Sequence, residues 1–338
     1  MFKIKKAIRS LLLFTVLLLL VSCETDFNVI ADYKEVAIVY GLLNQNDSVQ
    51  YLRINKAFLG EGNALAYSQV ADSSSFGSDI IVILTETATG GIKKEILFDT
   101  VTLYNKQEGA FYSPSQLFYA SNEKLNENYN YELKVVNKKT SYEVSSQTNL
   151  IHSFSITKPA SGAKTLNMKR SLTTSQKFSW KNAQNGKRYQ FKFIFNYKEL
   201  GITGDTTYHT IEWIFPEKTT ENTDGSGESE VGYLNEDFYK LCESKIPYST
   251  QATEDEVFKR FASNCDLEVT AIGDEFNTYI EANGPTTGVL MEKPNYSNIT
   301  NGLGLLSCRY EIHRLIALSA ETILDLSTTT NLKFVKPN

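Results

Sequence analysis

The sequence predicts a mainly β protein built as two β-sandwich domains, and three observations carry that expectation. Short runs of β-branched and aromatic residues recur along the first 150 positions, each bounded by turns rich in Gly, Asn or Asp. No helical periodicity interrupts them, so the strands pair as antiparallel neighbours; parallel pairing would need long crossovers. Nineteen Tyr and nineteen Phe stand against three Met and three His in 338 residues, a composition suited to pleated, half-buried surfaces and poor in catalytic imidazole.

The first domain is expected over residues 35–150. Residues 35–40 and 48–54 flank the polar stretch 44–47 and read as a hairpin. Four further strands follow at 80–85, 92–98, 129–136 and 142–148, separated by Gly90 and Gly91, by 126–128 and by 137–139. Two stretches interrupt the series. Residues 60–78 have a Ser-rich centre, and residues 104–128 concentrate Phe111, Tyr112, Leu117, Phe118 and Tyr119. A loop so loaded with rings either packs over an open end of the sandwich or displays them to a partner.

The second domain is expected over residues 151–338. Strands are predicted at 175–180, 189–197 and 206–215, with a tight turn at Asn185 and Gly186, a pair that tolerates positive φ. Trp180, on the strand before that turn, resembles the fibronectin type III pattern, in which a Trp fills the space between two sheets. Residues 217–230 read as a flexible polar excursion. A short helical insertion follows, with helices near 235–245 and 253–263. The first puts Phe238, Leu241 and Cys242 on one face, and the second opens with Thr253 followed three residues later by Glu256. Residues 265–272 alternate as a strand, 275–283 fit either state, and 306–315 with 333–335 close the domain.

The N-terminus carries an address. Lys3, Lys5, Lys6 and Arg9 precede an apolar run at 11–21, the layout of a signal peptide over residues 1–22. At about 1.5 Å per residue that run covers some 16 Å, short of a hydrocarbon layer about 30 Å thick. Leu20-Val21-Ser22-Cys23 resembles the bacterial lipobox, which implies diacylglycerol on the Cys23 thiol and a lipidated tether over residues 23–34. Two or more acyl chains hold a domain at a membrane where one holds it only marginally. Glu24 and Asp26 resemble the signal that sends lipoproteins of Bacteroidota to the outer face of the outer membrane.

Charge and motif spacing exclude several functions. With 34 Lys and Arg against 39 Asp and Glu, the chain lacks the basic surplus of a nucleic-acid binder. His152, His209 and His313 show no metal-ligand spacing, and residues 224–230 read as a solvated loop before a Ca²⁺ loop; no metal, cofactor or catalytic residue is assigned. His209 and Glu212 lie three apart on a strand, hence on opposite faces. With Cys23 lipidated, Cys242, Cys265 and Cys308 remain in an oxidising compartment. A Cys242 to Cys265 bridge is expected, stabilising by about 2–4 kcal/mol, the alternative being three reduced, buried thiols. Ser48, Thr100 and Thr206 each follow an Asp and resemble the O-glycosylation acceptor of Bacteroidota.

Residues 39–58 and 296–304 resemble the DUF4249 family of Bacteroidota lipoproteins, over nearly the whole mature chain. The resemblance implies an N-terminal Ig-like sandwich, a second β domain and an envelope role. In that setting Tyr112, Tyr119, Tyr208, Trp213 and Phe215 are candidate ligand contacts, since rings stack on sugar faces or anchor protein partners. The expected function is a surface-exposed, non-catalytic binding accessory that delivers a glycan, peptide or protein to an outer-membrane transporter. The alternative is a structural or adhesive envelope component without a small ligand.

Overall fold

The structure, a computed structural model, describes residues 35–57, 64–88, 90–104, 106–247, 257–284 and 296–336. The signal peptide, Cys23 and the tether lie outside the described residues. As expected, the chain is mostly β. Its strands are β1 (Ala37–Leu43), β2 (Gln50–Lys56), β3 (Ile80–Ala88), β4 (Gly91–Leu103), β5 (Gln116–Ser121), β6 (Asn130–Asn137), β7 (Glu143–Asn149), β8 (Ile156–Lys158), β9 (Thr165–Leu166), β10 (Ser175–Lys181), β11 (Arg188–Gly201), β12 (Thr206–Ile214), β13 (Lys218–Thr219), β14 (Glu228–Leu234), β15 (Val257–Ile272) and β16 (Leu303–Leu318). The helices are α1 (Ala64–Ser68), α2 (Ala71–Ser74), α3 (Asn235–Lys245), α4 (Asp274–Asn283) and α5 (Ala320–Thr328).

One ladder of hydrogen bonds runs through most of these strands, in the order β12-β11-β15-β16-β1-β2-β5-β4-β3-β6-β7, with β13 on β11 and β9 on β16; β14-β10-β8 form a separate sheet. Two long strands change partner midway. β4 pairs with β3 from Gly91 to Phe98 and with β5 from Asp99 to Leu103. β16 lies parallel to β1 from Leu303 to Cys308, then antiparallel to β15 from Arg309 to Ile316. The first strand described and the last therefore pair across the boundary expected at residue 150. Gly304 makes that seam possible: it sits at φ +116°, and any Cβ there would collide with the Val39 backbone.

Strand alternation explains the core. On β11, Tyr189, Phe191, Phe193, Phe195 and Tyr197 point inward every second residue. Across from them, Phe178 of β10 stacks on Phe191 at 4.5 Å and on Tyr233 of β14 at 4.7 Å, and Trp180 lies at 5.8 Å from Phe191. The three-stranded sheet thus packs face to face on β11 through rings. Such offset contacts add about 0.5–1.5 kcal/mol per pair beyond the area they bury. α3 closes the end of this layer, with Phe238 against Phe193 and Phe195.

Three local readings are corrected. The helix expected near 253–263 is, over 257–263, the start of β15, whose Lys259 to Ala262 pair with Tyr197 to Leu200 of β11; residues 253–256 lie outside the described residues. The local capping signal yields to backbone hydrogen bonds offered by a distant strand. The 104–128 segment is not loop throughout, since it contains β5. The polar stretch 217–230 is tied down by β13 on β11, by a Gln184 to Asp224 bridge and by the start of β14. The helix near 235–245 forms as α3, and 275–283, open between two states, lies in α4.

Candidate functional site

A cleft of about 700 Å³ opens between one face of β1, β2, β5 and β4 and two covering segments, α2 with the turn up to Gly77 and the 106–115 loop. Its size falls in the range of small-molecule sites. Tyr40 of β1 and Arg53 and Asn55 of β2 form the floor, and Phe111 and Tyr112 stand at the rim. Strand alternation explains the floor, since Val39, Leu52 and Ile54 are buried on the opposite face of the same strands.

Hydrogen bonds fix the rim. The Tyr112 amide donates to the Ser68 carbonyl at 2.9 Å, the Lys106 amide donates to the Pro114 carbonyl at 3.1 Å, and the Gln69 side-chain amide donates to the Ala110 carbonyl at 2.8 Å. The Ser68 hydroxyl also donates to the Ala110 carbonyl. These bonds tie the 106–116 loop to α1, a loop-on-loop construction that the sequence shows only as two Ser- and Tyr-rich interruptions. At the opposite edge, Tyr40 meets Tyr279 of α4 edge-on at 6.2 Å. The hydrogen bond between them, together with burial, raises the Tyr40 pKa.

The electrostatics of the cleft are one-sided. Arg53 donates its Nε to the Asn55 Oδ1 at 2.9 Å, and Asn55 in turn donates to the Ser74 carbonyl at 3.0 Å. Lys106 donates to the Tyr112 carbonyl at 2.5 Å and lies 5.7 Å from the Phe111 ring centre. Neither cation has a carboxylate partner among the described residues. Burial, and then the nearby Arg53 charge, push the Lys106 pKa down. Among the described lining residues, Asp72 is the only carboxylate against Arg53, Lys56 and Lys106.

The five aromatic candidates are not brought together. Tyr112 lines the cleft. Tyr119 is a correction: it is buried on β5, and its hydroxyl donates to the Gly77 carbonyl at 2.7 Å, so it holds a cleft loop from beneath instead of meeting a ligand. Phe215 is also corrected, being buried against Phe191 at 5.4 Å. Trp213 packs on Phe215 at 4.6 Å and belongs to the same aromatic layer. Tyr208 is 80% exposed on β12, in the other half of the chain. Tyr40, Arg53 and Lys106 carried no signal in sequence, because the pairing of β1 with β2 and the folding of the 106–116 loop over them bring them to one cleft.

The cysteines differ from the expected bridge. Cys242, Cys265 and Cys308 are free and buried. Cys242 faces inward from α3 and Cys265 inward from β15, and burial raises the pKa of both thiols; Cys308 is pushed up to about 12. Each fills the apolar interior as a small hydrophobe. Ser48, Thr100 and Thr206 are all exposed, so their hydroxyls are open to solvent.

The histidines form no proton relay. Thr207 Oγ1 at 2.9 Å and Glu199 Oε2 at 3.2 Å both approach Nε2 of His209, whereas a nucleophile and an orienting acid need opposite ring nitrogens. The other Glu199 oxygen accepts from Arg260 at 2.6 Å, a buried structural pair. His313 Nδ1 meets Asp266 Oδ2 at 2.8 Å. Among the described residues no cluster of three or more His, Cys, Asp or Glu suits a metal ion, and no helix is long and apolar enough to cross a membrane. No protein-family model matches this chain, and no curated protein matches it.

Proposed function

We propose that this chain is a lipid-anchored, surface-facing outer-membrane lipoprotein of the DUF4249 type, acting as a non-catalytic binding module of a nutrient-uptake system. The single observation that carries the binding role is the cleft over β1, β2, β5 and β4, with rings at its mouth and two cations, Arg53 and Lys106, that have no carboxylate partner among the described residues. A concave, ring-lined opening with a few placed charged and polar groups is the usual form of a ligand site. The lipobox-like run ending at Cys23 and the acidic Glu24 and Asp26 support the anchoring and the surface location. In this reading the sheets form two sandwiches. The three strands β14-β10-β8 over β12-β11-β15-β16, with Trp180 between them, support a fibronectin type III-like second unit, and the strands of β1 to β7 an Ig-like first unit.

Cell fractionation tests the anchor: wild type sediments with the envelope and Cys23→Ser does not. Protease shaving of intact cells tests exposure, with loss of the protein expected. Co-purification from the membrane tests the transporter partner, and a glycan array tests the cleft. Signal on neither array nor partner blot would leave the structural or adhesive role in its place.

A further inference from the structure

Resting on the reading of the cleft as a ligand site, we infer that its ligand is an acidic oligosaccharide whose uronate carboxylate is held between Arg53 and Lys106. The argument starts from what each cation has left to give. Asn55 takes the Arg53 Nε, which fixes the guanidinium and leaves its two terminal nitrogens as a fork. The Tyr112 carbonyl accepts one Lys106 N–H, which leaves two to donate. Two like charges that line one cleft are stabilised by an anion placed between them.

The rest of the lining selects among anions. Tyr40, Phe111 and Tyr112 offer ring faces, which suit the C–H face of a pyranose. Gln116 and Ser115 place an amide and a hydroxyl along the same lining for sugar hydroxyls. An acidic peptide is disfavoured because β1, on the cleft floor, is paired with both β16 and β2 along Ile38 to Gly41 and leaves no edge there for strand addition.

The test is calorimetric titration of the full chain in detergent with tetragalacturonate and with the neutral galactose tetrasaccharide. Tetragalacturonate should bind at least about tenfold more tightly than the neutral sugar, and affinity should fall as NaCl rises. Arg53→Gln and Lys106→Gln should each weaken tetragalacturonate by about tenfold or more, with thermal midpoints checked against wild type. Arg53→Lys keeps the charge but removes the fork, and should also weaken binding. Equal affinity for the two sugars, unaltered binding by the charge variants, or no binding of tetragalacturonate would each overturn the inference. Neutral-sugar binding that Tyr112→Ala abolishes would overturn the acid alone and leave the cleft as the ligand site.

Discussion

Phe193 and Tyr40 both lie on interior strands of the thirteen-stranded sheet, yet Phe193 is fully buried and Tyr40 is 39% exposed. The difference lies in what faces each strand. β11 is covered by β14-β10-β8 and by α3, so its rings stack on Phe178, Trp180 and Phe238. β1 and β2 bury one face only, and on the other they carry Tyr40 and Arg53 under loops that stand off to leave the cleft. One chain spends its aromatic residues on cohesion at one end and on an open surface at the other. Ring content alone therefore does not locate a binding site; the second layer decides.

This contrast predicts unequal costs for similar substitutions. The largest is Phe215→Ala, which opens the covered layer and should lower stability by about 3–5 kcal/mol in urea unfolding. A cost below about 1 kcal/mol would mean that Phe215 is not in the core. Next is Gly304→Ala at the seam between β16 and β1. Positive φ and the Val39 backbone leave no room for a methyl group, and a loss of about 1–3 kcal/mol is expected in the same assay.

A smaller effect distinguishes the ends by pH. Burial raises the pKa of Glu275, against a weaker opposing hydrogen bond from Ser307. The folded state then favours the protonated acid, so its contribution is present below the ordinary Glu pKa and is lost as pH rises through the raised value. Glu275→Gln should therefore match wild type in thermal midpoint at acid pH and exceed it increasingly toward neutral pH. The smallest effect on stability belongs to Tyr112→Ala at the cleft rim, within about 0.5 kcal/mol of wild type, while sugar binding weakens. Phe215→Ala and Tyr112→Ala, both aromatic truncations, would thus separate cohesion from recognition.

Much of the β architecture could be read from residue order. The five inward rings of β11 alternate strictly, and Asn185 indeed adopts positive φ at 66° in the turn before it. The helix expected near 253–263 failed for a non-local reason. Its Thr-x-x-Glu start is a local signal, whereas the pairing of Lys259 to Ala262 with β11 joins segments some sixty residues apart. The site was harder still. Tyr112 was visible as one ring in an aromatic loop, but Arg53 and Lys106 line one cleft only because β5 pairs with both β2 and β4. Tyr119, Trp213 and Phe215 misled for the converse reason, since a ring on a strand looks the same in sequence whichever face it takes.

The most direct measurement is amide hydrogen exchange of the full chain in detergent, with and without saturating tetragalacturonate. Added protection is predicted at 53–57, 71–77 and 106–117, the floor and rim of the cleft, with the aromatic layer around Phe193 unaltered. Protection confined to 206–215, around Tyr208 and Trp213, or none anywhere, would contradict the placement of the binding surface on β1, β2, β5 and β4.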